Sequence, residues 1–255
     1  MSPAMPMTRE AWVARHPYLE PIAGVRALVD IAAARISRHV AREPEWQEYG
    51  EDFHAGIPLL HSERAAVALS DPEAVVRAML EELMPAALPA WLADQCRVLR
   101  EDLQPSALFR CLLWAVLARE LEPVVIAFGL WRDEERWLRN QCPTCGAAPA
   151  MAQLVGRNEG RLRLLSCGCC ATRWRYRRTG CPFCEHVDDH RLAVVAVDGE
   201  EGLRVDYCER CQGYLKTYDG EGSEGVLLAD WTSLHLDLLA RDRGLKRLAA
   251  SLYEV

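Results

Sequence analysis

Between Pro21 and Asn140, apolar residues recur every three or four positions among Ala, Leu, Val, Arg and Glu. That is the period of helices with one buried face. Asp71-Pro72 pairs an N-cap with a proline in the first turn and predicts a helix running to about Leu83. Prolines at 85, 89, 105 and 123 divide the remainder into segments of helical length, so five or six helices packed as a bundle are expected. The stretch from Glu45 to His61 breaks the period with two glycines and a proline. It reads as a loop tethered to the bundle through Trp46, Tyr49, Phe53 and His54.

At Cys142 the texture changes to short β-type runs separated by glycine turns. Met151 to Val155, a turn at Arg157-Asn158-Glu159-Gly160, and Arg161 to Leu165 predict one hairpin; Arg191 to Val197, a turn from Asp198 to Gly202, and Leu203 to Tyr207 predict another. Each hairpin lies between two Cys-x-x-Cys pairs, so the segment is an internal duplication. A glycine-rich acidic loop after Tyr218 leads into an amphipathic helix expected from Asp230 to about Leu252. The predicted fold is α+β: a helical domain over 1–140, two tandem rubredoxin-like ribbons over 141–179 and 180–229, and a C-terminal helix over 230–255.

Eight of the eleven cysteines form the four pairs, leaving Cys96, Cys111 and Cys169 over. Two thiolates three residues apart on a tight turn can face one ion, and two such knuckles complete a tetrahedral site. In Cys142-Pro143-Thr144-Cys145-Gly146 the proline fixes φ after the first ligand and the glycine tolerates the turn after the second; Cys181-Pro182-Phe183-Cys184 repeats the proline. The internal repeat favours Cys142, Cys145, Cys167 and Cys170 as one site and Cys181, Cys184, Cys208 and Cys211 as the other, each unit closing on its own hairpin. A cross-braced arrangement, first pair with third, is the alternative. His186 and His190 follow the third knuckle, but four cysteines already suffice there.

Met1 to Glu20 holds no apolar run fit for a signal-peptide core, and no later stretch predicts a membrane span. With no export expected, paired cysteines favour metal over disulfides. The net charge of -7 argues against a general nucleic-acid binder. Up to Asn140 there are 15 Arg and no Lys against 21 acidic residues; beyond it, 13 Arg and 2 Lys face 16. Strand period places Arg173, Arg175 and Arg177 on one face with Trp174 and Tyr176 on the other. With Arg161 and Arg163, these arginines read first as a solvated face that offsets thiolate charge, second as a docking surface for an acidic protein partner and last as a nucleic-acid contact. No phosphate loop, nucleophile elbow or zinc-hydrolase helix is present in the sequence, which predicts no enzyme activity.

Four strings resemble the formate dehydrogenase accessory proteins of the FdhE family: Cys142-Pro-Thr-Cys-Gly146, Cys167-Gly-Cys-Cys-Ala-Thr-Arg-Trp174, Cys181-Pro-Phe-Cys-Glu185 and Cys208-Glu-Arg-Cys-Gln-Gly-Tyr-Leu-Lys216. The stretch from Asp230 to Arg247 is similar too, whereas Leu248 to Val255 departs from the family by lacking its Asn-Pro segment. The resemblance implies a cytoplasmic maturation factor that acts on the catalytic subunit of a respiratory formate dehydrogenase before twin-arginine export. It implies two metal ions, iron ahead of zinc, although four thiolates by themselves accept either. A double zinc-ribbon nucleic-acid module and a rubredoxin-like electron carrier are the competing readings.

Overall fold

A computed structural model describes residues 9–37, 41–156, 161–187, 191–197, 202–219, 230 and 232–249. The predicted turn at Arg157 to Gly160, most of the turn at Asp198 to Gly202, the loop after Tyr218, His190 and the tail beyond Ala249 lie outside these residues.

The helices are α1 (Arg9–Arg15), α2 (Glu20–Ile36), α3 (Trp46–Ala55), α4 (Pro72–Leu83), α5 (Ala90–Glu101) and α6 (Ala107–Trp131). Helix α4 has the predicted bounds: Asp71 accepts a hydrogen bond from the Ala74 N–H at 2.8 Å and Pro72 opens the first turn. The expected loop over Glu45 to His61 is instead largely helix α3, stopped by Gly56 at φ 82°. Tyr49 and Phe53, one turn apart, bury against Phe128, Trp131 and Trp137, so the aromatic spacing outweighs the weak local helix signal. Pro123 does not end a helix either; it sits inside α6. The Ala41 N–H donates to the Glu120 carbonyl at 3.1 Å, next to the Arg119 carbonyl whose helical donor Pro123 lacks.

Helix α6 joins two cores. Its first half places Phe109, Leu112, Ala115 and Val116 among α2, α4 and α5. Its second half places Leu121, Val124 and Phe128 with α3 and the cysteine-bearing segment. Buried positions run along most of this helix, while Ile126 and Leu130 in its second half stay exposed.

The strands are β1 (Pro149–Val155), β2 (Leu162–Cys167), β3 (Arg173–Tyr176), β4 (Leu192–Ala196), β5 (Leu203–Cys208), β6 (Gly213–Asp219) and β7 (Lys246–Arg247). Each ribbon contributes three strands, and the two form one sheet in the order β3-β2-β1-β6-β5-β4, with β7 beside β6. The join is the parallel pairing of β1 with β6, Met151 opposite Lys216. One face carries Ala152, Leu165, Trp174, Tyr176 and Leu215 into the α3–α6 core. The other carries Met151, Leu203, Val205 and Tyr214 against a helix at Leu234–Asp242. That helix is shorter than expected: Gly244 turns the chain at φ 75°, and Lys246–Arg247 becomes a strand.

Beneath this helix lies a charge cluster that the sequence reading passed over. The Lys216 ammonium, fully buried, lies 2.6 Å from Asp237 and 2.9 Å from Asp230; Arg247 bonds both carboxylates at 2.7 Å, and the Tyr214 hydroxyl donates to Asp237 at 2.7 Å. Burial alone would raise the Asp230 carboxyl, but Lys216 and Arg247 outweigh it and hold the group below its usual range. A depressed carboxyl contributes stability that is complete above the unfolded value of about 3.9 and is lost as pH falls through the folded one. Acid is therefore expected to loosen the C-terminal helix. Hydrogen-exchange protection of the Leu236 and Ala240 amides checks this, and protection that persists at about pH 2 contradicts it.

Candidate metal centres

The cysteines gather as two four-sulfur groups, Cys142, Cys145, Cys167 and Cys170 in one and Cys181, Cys184, Cys208 and Cys211 in the other, with the sulfurs of each within 4.8 Å of one another. In the first group Cys142 and Cys170 are 3.5 Å apart, Cys145 and Cys167 3.4 Å, and Cys145 and Cys170 3.7 Å. In the second, Cys181 and Cys211 are 3.7 Å apart and Cys184 and Cys208 3.8 Å. A tetrahedron with metal–sulfur bonds of about 2.3 Å has edges of about 3.8 Å, whereas a disulfide is about 2.05 Å long. These donor sets fit an ion: the two groups can hold two.

The four knuckles share one backbone device. The residue after the second cysteine of every pair is left-handed: Gly146 at φ 75°, Ala171 at 62°, Glu185 at 57° and Gln212 at 57°. Glycine takes this conformation without strain; the other three each bear roughly 1–2 kcal/mol. The turn lets backbone N–H groups close on the ligands. Cys169 N–H lies 3.4 Å from the Cys167 sulfur and Phe183 N–H 3.4 Å from the Cys181 sulfur. The Thr172 hydroxyl is 3.1 Å from the Cys170 sulfur and 2.7 Å from the Thr144 hydroxyl, so this threonine ties both knuckles of the first group together.

The two groups differ in setting. Cys142, Cys167 and Cys170 belong to the core shared with Tyr49, Leu59, Phe128 and Trp137. The helical part also reaches them through backbone: the Leu59 and Leu60 N–H groups each donate at 2.9 Å, to the carbonyls of Pro143 and Thr144. Nothing in the sequence marked Leu59 and Leu60, because their role depends on α3 ending beside the knuckle. In the second group Cys184 and Cys211 are only half-buried.

Burial drives the Cys142 thiol well up and raises Cys181 to about 12, while Cys145 rises through hydrogen bonding with the crowded neighbouring thiols. Without an ion these groups hold protons, which metal binding must displace. His186 stays outside the second group, its ring 3.1 Å from the Arg210 guanidinium, while its carbonyl accepts the Cys181 N–H at 2.9 Å.

The expected arginine face is not a single surface. Arg163 lies opposite Tyr176 across β2 and β3 and so shares the aromatic face, buried at 5 % exposure. Arg173 points to the opposite face, where it donates to the Gln153 side chain and its carbonyl accepts from Arg132. Arg175 pairs with Glu135, and Arg177 lies 5.5 Å over the Tyr176 ring. Arg161, Arg163, Arg175, Arg177 and Arg178 nevertheless converge around a cleft of about 330 Å3 beside Leu138 and Leu162. Trp174 is core, its indole N–H bonded to the Arg139 carbonyl at 3.0 Å.

A helical part built against twin four-cysteine ribbons that share one sheet defines a protein with two four-sulfur groups, each able to hold a metal ion. The comparisons specify it further. Residues 141–178 match the family described as "FdhE, central domain". An FdhE homologue of Stutzerimonas stutzeri is 31% identical over 210 residues, covering 78% of this chain and 66% of that protein. One from Pseudomonas aeruginosa is 39% identical over 120 residues, 43% of this chain and 38% of the relative; one from Aquifex aeolicus is 31% identical over 129 residues, 49% and 46%. The matches thus span between 38% and 66% of these relatives' lengths. The crystal structure of the FdhE protein from P. aeruginosa shares the fold, with a TM-score of 0.59 at 24% identity over 93% of this chain and 90% of that one. The chain belongs to the FdhE family. Among the described residues, no helix is long and apolar enough to cross a membrane.

Proposed function

We propose that this chain is a metal-binding accessory protein for the maturation of formate dehydrogenase, acting on the catalytic subunit in the cytoplasm before export rather than catalysing a reaction itself. The observation that carries the reading is the pair of tetrahedral four-sulfur groups in a chain of this family. Cys142, Cys145, Cys167 and Cys170 would hold one ion and Cys181, Cys184, Cys208 and Cys211 the other. Iron is favoured by the family resemblance, and the donor set equally suits zinc. A bound ion supplies folding free energy to the ribbons and, if iron, a one-electron couple.

The arginine cleft supports docking of an acidic stretch of the enzyme subunit. The chain's own Glu135 already pairs with Arg175 there, and charge complementarity steers encounter in a salt-dependent way. Arg175, Arg177 and Arg178 are the residues to reverse, because Arg163 and Arg173 are tied inside the fold. Deleting the gene is expected to abolish formate oxidation while leaving enzyme-subunit abundance largely intact. Restoring it with Arg175, Arg177 and Arg178 changed to Glu is expected to weaken capture of the subunit by roughly tenfold or more at low salt while both ions are retained. Normal formate dehydrogenase activity in the deletion strain, with no second copy to compensate, ends the assembly reading.

A further inference from the structure

Arg163 is a buried cation with no direct ion pair among the described residues. Its guanidinium has one hydrogen bond among the described residues, from Nη1 to the Gly180 carbonyl at 3.0 Å, and its buried Nε has no partner. Among the described residues, no carboxylate forms an ion pair with it. Asp206 borders the same small cavity, but Arg204 Nε and the Thr217 hydroxyl, each at 2.8 Å, already hold its oxygens. A buried cation in that position is costly unless an opposite charge lies close by.

Arg178, Tyr207 and two cysteines of the second four-sulfur group also line the cavity. Arg163, Cys181 and Cys208 line it together, and the Gly180 carbonyl that Arg163 grips immediately precedes Cys181. Tyr176, directly across from Arg163, reaches the Cys181 carbonyl with its hydroxyl at 3.4 Å. Both residues belong to the first ribbon, yet both approach the ligands of the second. Burial depresses the Arg163 guanidinium, and the Asp206 carboxylate opposes that depression.

Four thiolates around a divalent ion carry a net charge of about -2. We propose that Arg163 is a positioning residue for the second metal centre, supplying from the first ribbon the counter-charge to the thiolates of Cys181, Cys184, Cys208 and Cys211. It rests on the reading of these cysteines as metal ligands. The consequence is coupling: the ribbon–ribbon contact at Arg163 is favourable when the second centre is filled and unfavourable when it is empty.

The test loads the full chain with cadmium and follows each centre as a separate cadmium NMR resonance, the second assigned by its loss in Cys184→Ser. Arg163→Met is expected to weaken retention of the second ion against a chelator by about 10- to 100-fold while leaving the first unchanged. Arg163→Lys restores most of the loss, and Arg175→Met changes neither centre. In metal-stripped protein, Arg163→Met is no less stable than the parent. Equal weakening of both centres, no weakening at all, or the same stability loss with and without metal overturns the proposal and leaves Arg163 a plain packing residue. Should Arg163→Met not fold, Arg163→Gln keeps a donor for Gly180 without the charge: selective weakening with Gln but not Lys supports the counter-charge, and equal behaviour of the two overturns it. A parent chain showing no second resonance refutes the metal assignment itself, which is a different failure from two resonances indifferent to Arg163.

Discussion

Changing Cys142 to Ser is expected to cost one metal ion and to destabilise the whole molecule, whereas Cys184→Ser costs the other ion at little expense to the fold. Both variants lose one ligand of four, so ligand chemistry alone predicts equal effects. The difference lies in what surrounds the sulfur. Cys142 is completely buried in the core that α3 and α6 share with the sheet, and the Leu59 and Leu60 backbone bonds hang on its knuckle. A structural tetra-thiolate site contributes about 10–16 kcal/mol of apparent binding free energy in small zinc peptides, and losing a ligand forfeits a large share of it. For Cys142 that loss spreads into the helical part, for an expected fall in melting temperature on the order of 10 °C or more. Cys184 is half-buried and belongs to none of the three core clusters. Metal per chain and thermal melts of the two variants decide the matter; equal destabilisation contradicts the asymmetry, and loss of both ions from Cys142→Ser in protein that remains folded contradicts the grouping.

Replacing Lys216 by Met is expected to destabilise the chain by about 3–5 kcal/mol, the cost of leaving a buried carboxylate without its cation. Asp230 and Asp237 would then keep Arg247, at 15% side-chain exposure, as their one paired cation among the described residues, and the helix at Leu234–Asp242 would lose its Lys216 anchor to β6. The double variant Lys216→Met with Asp237→Asn removes one charge of each sign and should recover part of the loss, since the remaining Arg247–Asp230 pair is balanced. Urea unfolding of the parent, both single variants and the double variant measures the coupling. Strict additivity of the two changes contradicts the ion-pair account. The cluster also explains why Lys216 belongs with the Cys208-x-x-Cys211 string: the strand leaving the fourth knuckle carries the residue that fastens the C-terminal segment across the sheet.

Local chemistry was legible wherever neighbours in sequence are neighbours in space. Asp71-Pro72 set the start of α4 because a cap and a first-turn proline act within four residues. The knuckle spacing set which thiols can face one ion, and the duplication indicated that each hairpin closes on its own pairs, the grouping the sulfurs show. Misreadings came where a distant partner outvoted a local signal. Pro123 marks a helix end by itself, but two cores hold α6 on either side of it. The glycines of Glu45 to His61 suggested a loop, until Tyr49 and Phe53 found Phe128, Trp131 and Trp137.

The sequence by itself determined the α+β class, the helical part, the two ribbons and their eight cysteines, because those follow from periodicity and from ligand spacing along one chain. Only the tertiary structure decided that the ribbons merge through β1 and β6 into a single sheet, that one centre is sealed by the helices while the other stays near the surface, and that the pleat sends Arg163 inward as Arg173 and Arg175 face the opposite way. Strand register, the faces that pack together and the dielectric around each charge depend on contacts between residues far apart in the chain. A buried Lys216 and a buried Arg163 look like ordinary surface cations until the elements that cover them are in place.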